Sequence, residues 1–275
     1  MARGRTETVL VTRWDGNQSR RGPDELIVEE PMAIQLDGHL VATTMRTPGH
    51  DYELAAGFCL TEGLLQGAAV ESVRYCATGS AADTDFNVVT VETGGSAPTP
   101  TPRLTPITSS CGLCGTAELG ELLERLEPLP AGGPTFALED LAALAAAALA
   151  GQPLFDSTGA VHAAVALTRA GDLVVAREDV GRHNAVDKVI GRLLLDGRLP
   201  AHELVLAVTS RASFEIVQKA WAAGFTAVVA VSAPTALAVT AARAAGMTLA
   251  GFARAGRVNV YSPEQLRAAQ PAAAG

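Results

Sequence analysis

Cys111 and Cys114 are two of only four cysteines in 275 residues, and they lie in the stretch Thr108-Ser109-Ser110-Cys111-Gly112-Leu113-Cys114-Gly115. Small residues flank both sulfurs, which suits a loop presenting thiols better than a core packing them. A Cys-x-x-Cys pair supports four chemistries. It can be half of a zinc site, which then needs two further ligands. Cys59 and Cys76 are the only other thiols, and each sits singly in an apolar segment, where a buried structural thiol is expected. It can be a thioredoxin-type redox pair, which is expected directly after a strand, whereas a proline-rich segment precedes Cys111. It can belong to a deaminase zinc centre, but the His-x-Glu and the proline before the first cysteine are both missing. Finally, an exposed thiolate can take the outer sulfur of a persulfide and hand it on. The tetrapeptide alone does not choose between redox chemistry and sulfur carriage.

A second set of residues suits an anion. Three short apolar runs, Leu204 to Val208, Ala227 to Val231 and Met247 to Phe252, end in Thr209-Ser210-Arg211, Ser232-Ala233-Pro234-Thr235 and Ala253-Arg254-Ala255-Gly256-Arg257. Hydroxyl groups at helix starts and paired guanidinium groups both bind phosphate. Each exit alone equally suits plain helix capping and surface charge; three together suit a phosphate- or nucleotide-bearing ligand. No Walker loop or Gly-x-Gly-x-x-Gly follows a strand, which argues against an ordinary ATPase or a dinucleotide fold. A third set is the polar run from Arg177 to Lys188. There, Asp179 can cap a helix, and His183, Asp187 and Lys188 fall within about one turn of one another. That run reads either as an acid–base cluster or as a capped helix with solvent-facing pairs.

The elements that must position these groups follow from periodicity. Residues 1–24 are polar, with one strand expected from Thr8 to Arg13. Glu25 to Leu36 and His39 to Met45 read as strands joined by an Asp37-Gly38 hairpin turn. A helix is expected over Tyr52 to Leu65, then strands over Val70 to Cys76 and Phe86 to Glu92. Gly94 to Thr108 is rich in proline and reads as a linker. Helices are expected over Ala117 to Leu126 and Leu138 to Ala150, and a hairpin over Val161 to Arg177. Beyond it, apolar runs alternate with helices, the mark of parallel βαβ units. The expected class is therefore α/β, with a smaller antiparallel α+β part at the N-terminus. The divisions fall at 1–93, 94–116 and 117–275.

The composition is 48% apolar and 18% charged with a net charge of −8, which argues against a general nucleic-acid or membrane-surface binder. No secretory signal or membrane-length apolar stretch is seen, so a cytoplasmic protein is expected.

Several motifs in order carry a resemblance. They are Glu30-Pro31-Met32-Ala33-Ile34 with Asp37-Gly38, the run from Met45 to Phe58, Thr61-Glu62-Gly63 and Ser110 to Gly115. Glu178 to Lys188, Thr209 to Glu215, Ser232 to Thr235 and Phe252 to Arg257 complete the set. On these residues the chain resembles the FdhD family, sulfur-carrier accessory proteins required for formate dehydrogenase activity. The resemblance implies a cytidine-deaminase-like C-terminal domain that lacks the deaminase zinc ligands and binds no metal of its own. It implies that a cysteine desulfurase passes sulfur to Cys111 as a persulfide. The sulfur then goes to the molybdenum of a bis-molybdopterin guanine dinucleotide cofactor before that cofactor enters formate dehydrogenase. It further implies cofactor binding by Phe252, Ala253, Arg254, Ala255, Gly256 and Arg257, a shuttling or releasing part for Cys114, and a homodimer. The competing readings are a thiol–disulfide oxidoreductase using the same pair, and a binding chaperone in which the two cysteines are structural or zinc-bound.

Overall fold

The computed structural model describes residues 4–76, 80–100, 126, 128–130, 136–254 and 256–263. The described strands form three sheets. The first is an antiparallel hairpin of β1 (Thr6–Trp14) and β2 (Ser19–Ile27), with Trp14 opposite Ser19. Sequence periodicity anticipates only Thr8 to Arg13 here and runs Glu25 to Leu36 together as one strand. The reason is physical: no residue of either strand is buried, so no hydrophobic alternation marks them.

The second sheet has the order β4-β3-β6-β5, built from β3 (Glu30–Leu36), β4 (His39–Arg46), β5 (Ser72–Tyr75) and β6 (Val88–Glu92). The turn between β3 and β4 has Asp37 at φ 46° and Gly38 at φ 82°. Two successive positive φ values match the twist of a two-residue hairpin, which is why Asp-Gly stands there. The pairs β3–β4 and β5–β6 are antiparallel, while β3 and β6 run parallel. One face of this sheet packs on α1 (Asp51–Thr61) through Met32, Ile34, Leu36, Leu54 and Phe58.

The third sheet has the order β12-β11-β10-β9-β7-β8. Its strands are β7 (His162–Thr168), β8 (Leu173–Asp179), β9 (Leu204–Val208), β10 (Ala227–Ala230), β11 (Thr248–Arg254) and β12 (Arg257–Ser262). The three apolar runs form its parallel centre, with β7 and β12 antiparallel at either side. Both faces are covered, and successive residues alternate between them. Leu204, Leu206 and Val208 face α4 (Arg182–Leu195), α5 (Phe214–Ala222) and α6 (Ala236–Ala245). Val205 and Ala207 face α2 (Leu138–Leu149) through Leu141 and Leu144. A short helix, α3 (Pro153–Thr158), precedes β7. Strand β12 and helix α3 are additions to the sequence reading. For β12 the signal was present, since Val258 and Val260 pack against the core while Arg257 and Asn259 are exposed.

The two larger sheets are joined through α1 and α4. Helix α1 is buried almost all round because the second sheet lies on one side and α4 on the other. At the crossing, Gly57 of α1 meets Asp187 and Gly191 of α4, and Gly191 meets the backbone of Glu53 and Gly57. Among the described residues no helix is long and apolar enough to cross a membrane.

Candidate functional site

Strands β9, β10 and β11 are parallel, so their carboxyl ends share one edge of the sheet. The register brings the start of β7 and the end of β8 to the same edge, with His162 opposite Asp179 and Ala164 opposite Val208. Ligands of open α/β sheets bind at such an edge. The three exits are tied together by backbone hydrogen bonds. Val231 N donates to Val208 O at 3.0 Å, Thr235 N to Ala212 O at 3.0 Å, and Phe252 N to Ser232 O at 3.1 Å. Gly251 permits the last contact, because a Cβ there would lie 2.9 Å from Pro234 Cδ and 3.1 Å from Ser232 O.

The hydroxyl groups singled out at two exits serve the fold. Thr209 Oγ1 accepts from Ala163 N at 2.9 Å, which fastens β9 to β7. Ser210 is buried and donates to Arg211 O at 3.0 Å. Neither residue opens α5, whose N-cap is Ser213. Thr235 is the N-cap of α6 and accepts from Ala238 N at 3.2 Å, while Pro234 lies before the cap and not at the first helical position. The plain capping reading therefore holds for Thr235. The basic and aromatic groups remain available: Arg211, Phe252, Arg254 and Arg257 are all exposed.

The Phe252 to Arg257 stretch forms the tip of the β11–β12 hairpin, where Arg254 pairs with Arg257. The register shifts between Gly251 and Arg254, a bulge that turns Phe252 out of the sheet. Phe252 has φ 51° and is 41% exposed. An exposed aromatic residue in the left-handed region is strained and forgoes burial, a combination concentrated at ligand sites. Its ring can stack on a planar base, and the two guanidinium groups can each fork to a phosphate. Gly256 has φ 73° with no atom near a built Cβ. Ala253 is fully buried in the core, so it supports the hairpin rather than facing a ligand. Ala255 lies outside the described residues.

The Arg177 to Lys188 run divides in two. Asp179 does not cap α4; the N-cap is Gly181, with no side-chain cap bond. Instead the buried Asp179 carboxylate accepts Thr47 N at 3.1 Å, Gly181 N at 2.8 Å and Asn184 Nδ2 at 3.0 Å, and it pairs with Lys188 Nζ at 2.6 Å. Lys188 also donates to Thr47 O at 2.9 Å, and burial holds its ammonium below the usual lysine range. Asp187 pairs with Lys219 Nζ at 2.9 Å and accepts from Thr61 Oγ1 at 2.9 Å; burial pushes its carboxyl up. His183 points elsewhere, with Nε2 3.4 Å from both Ser213 Oγ and Glu215 Oε2. The one-turn grouping of His183, Asp187 and Lys188 therefore does not form a single cluster. Lys219 and Thr47 escaped the sequence reading; a lysine within the apolar run of α5 was the available signal.

Arg177 reaches α1 and forms a forked pair with Glu53, one arm at 2.8 Å and the other through Nε. Burial raises the Glu53 carboxyl, but Arg177 and His50 outweigh it and bring it down to about 2. A depressed carboxyl contributes stability above its unfolded value and loses it as pH falls toward the folded one. The contribution is therefore full above about pH 5 and fades between about pH 4.5 and 2, on the order of 3 kcal/mol. Glu53→Gln should lower urea stability at pH 7 and narrow its difference from wild type at pH 3. An unchanged difference across that range counts against this pairing.

Cys111 and Cys114, the sequence-predicted carriers, lie outside the described residues, as does the helix expected from Ala117. Cys59 and Cys76 are free and buried, as expected for structural thiols. Burial, reinforced by the Asp187 charge, pushes the Cys59 thiol up to about 12, so it is inert as a nucleophile at neutral pH. Cys76 Sγ lies 2.9 Å from Thr84 Oγ1.

Comparison with known proteins bears on the chain as a whole. The model of the FdhD/NarQ family matches residues 27–267. The sulfur carrier protein FdhD of Nocardia farcinica is 49% identical over 245 residues, covering 88% of each chain. That of Streptomyces avermitilis is 47% identical over 268 residues, covering 94% of each. A crystal structure of a formate dehydrogenase accessory protein from Desulfotalea psychrophila superimposes with a TM-score of 0.74 at 25% identity, covering 95% of this chain and 99% of that one. With a family model spanning most of its length and relatives at nearly half identity, the chain belongs to the FdhD/NarQ family.

Proposed function

We propose that this protein is a cytoplasmic sulfur carrier that serves formate dehydrogenase. In this reading a cysteine desulfurase delivers sulfur to Cys111, which holds it as a persulfide. The sulfur then passes to the molybdenum of a bis-molybdopterin guanine dinucleotide cofactor, which is the substrate rather than a resident group. The observation that carries the reading is near full-length likeness to relatives named as sulfur carriers, in a chain that presents Ser110-Cys111-Gly112-Leu113-Cys114-Gly115.

The residues on the sheet edge fit such a substrate. Phe252 offers an exposed ring for a guanine base, and Arg254 and Arg257 offer forks for phosphates. Residues 94–116 would link the N-terminal part to the C-terminal part and carry the thiols. Cys114 would assist release, and the working unit would be a homodimer.

Incubated with a cysteine desulfurase and cysteine, the intact protein should gain the mass of one sulfur atom, and Cys111→Ala should gain none. A wild-type protein that takes up no sulfur, while cycling between dithiol and disulfide, would replace this reading with a thiol–disulfide oxidoreductase. Arg254→Ala combined with Arg257→Ala should weaken guanosine diphosphate binding in calorimetry by more than about tenfold. Unchanged affinity refutes the placement of the nucleotide.

A further inference from the structure

The β1–β2 hairpin is an arm rather than a layer of the fold. Almost all of it precedes the residues matched by the family model, 27–267. Side chains alternate between its two faces. Val9 and Val11 on β1 and Gly22 and Asp24 on β2 are half-buried, and β2 lies against α3. The opposite face carries Leu10 and Trp14, with Pro23 across from Leu10 and Arg21 across from Thr12. From Thr8 to Glu25 every residue on that face is exposed, Leu10 at 65% and Trp14 at 67%. A two-stranded hairpin is at best marginal in water, and a bare apolar patch marks an interaction site.

A second apolar face is bare in the same part of the chain. The β4-β3-β6-β5 sheet packs its inner face on α1. On its outer face the register puts Pro31 opposite Met45, Ala33 between Thr43 and Val88, and Gln35 opposite Leu40. Leu40 is 57% and Met45 47% exposed, and Pro31 is exposed as well. Further along this face Arg74 and Glu92 pair with each other at 2.7 Å. Neither the Leu10–Trp14 face nor the Leu40–Met45 face is covered by the described residues of the same chain.

We infer that the arm is a dimerisation device: the Leu10–Trp14 face of one copy packs on the Leu40–Met45 face of a second copy, and the reverse contact forms with it about a two-fold axis. This rests on the homodimer proposed above and names its interface. The exchange closes on itself, since each copy offers one arm and one sheet face. Its size is sufficient. Nine residues per strand and strands about 4.8 Å apart make the arm face roughly 30 Å by 10 Å. Two arms on two sheet faces therefore remove on the order of 1,200 Å² from water, where stable interfaces begin. One arm laid on a foreign partner covers about half of that, the size of a passing contact.

Charge sets the arrangement. Residues 13–21, the tip of the arm, carry three arginines and one aspartate in a chain of net charge −8. Like-charged tips repel, which disfavours arm against arm, while the acidic remainder of the second copy attracts each tip.

Trp14 reports the contact directly, because the chain has two tryptophans and the other, Trp221, is buried in the core. The test follows the full chain by analytical ultracentrifugation and tryptophan emission over a dilution series. The wild type should be a dimer at micromolar concentration, and its emission should move to longer wavelength as dilution frees the arm. Leu10→Ser combined with Trp14→Ser should weaken the dimer at least about 30-fold, the loss of one interface hot spot. Met45→Asp should do the same from the other face. Both variants should keep the wild-type circular dichroism, because all three side chains are exposed. A wild-type dimer whose variants dissociate at the wild-type concentration overturns the arm assignment and leaves the homodimer standing. A wild-type protein that stays monomeric at about 100 µM removes both and gives the arm to a foreign partner.

Discussion

Gly191→Ala is expected to destabilise the protein severely, and Gly57→Ala is expected to do the same. On propensity alone each change should help, since alanine is favoured over glycine in a helix interior by about 1 kcal/mol. Packing reverses the sign. A Cβ on Gly191 would collide with the carbonyl of Glu53 and lie 2.8 Å from Gly57 N. A Cβ on Gly57 would collide with the carbonyl of Asp187 and lie 2.9 Å from Gly191 N. The atoms struck are backbone, which no rotamer change can move, so α1 and α4 would have to separate. That separation would pull apart the ion pairs built across the crossing. The expected cost is at least about 3 kcal/mol, the upper end of core overpacking, in a protein whose total stability is on the order of 5–15 kcal/mol. Urea denaturation and yield of soluble protein measure it. A variant as stable as wild type would mean that the helices do not cross at these glycines.

Lys188→Met is expected to cost about 3–5 kcal/mol, the penalty for leaving a buried carboxylate without its cation. Lys188 and Asp179 side chains are both fully buried. The Asp179 carboxylate would keep three N–H donors but lose the only ammonium bonded to it among the described residues. The double variant Lys188→Met with Asp179→Asn should recover part of that loss, because no net charge then remains buried. Thr47 makes the effect long-range. Its N–H and carbonyl bind Asp179 and Lys188, and its hydroxyl accepts from Val180 N at 3.1 Å, so the end of β4 is held to the end of β8. Chemical denaturation of the two single variants and the double variant gives the coupling. A double variant as unstable as Lys188→Met alone would show that Asp179 tolerates solitary burial.

Much of the fold was legible because burial is periodic. The runs Leu204 to Val208, Ala227 to Ala230 and Thr248 to Ala250 are buried on both faces, as a sheet covered by helices requires. The β1–β2 hairpin was only partly legible, because it buries nothing and leaves Leu10 and Trp14 exposed. At the candidate site the hydroxyl groups misled. Thr209, Ser210 and Thr235 have the chemistry of phosphate ligands, yet they bond to nearby backbone. A serine or threonine reads the same from sequence in either role.

By itself, the sequence determined most of the sheet and helix pattern, the order of motifs that places the chain in its family, and the Cys111–Cys114 pair as the candidate sulfur carrier. Only the tertiary structure decided which partners the members of the Arg177 to Lys188 run take. The reason is distance along the chain. Asp187 finds Thr61 at a separation of 126 residues, Lys188 finds Thr47 at 141, and Lys219 finds Thr61 at 158. No local spacing encodes such partners. A buried charge is recognised as structural only once its distant partner is in place, and His183 is separated from Asp187 and Lys188 only once its contacts with Ser213 and Glu215 are seen.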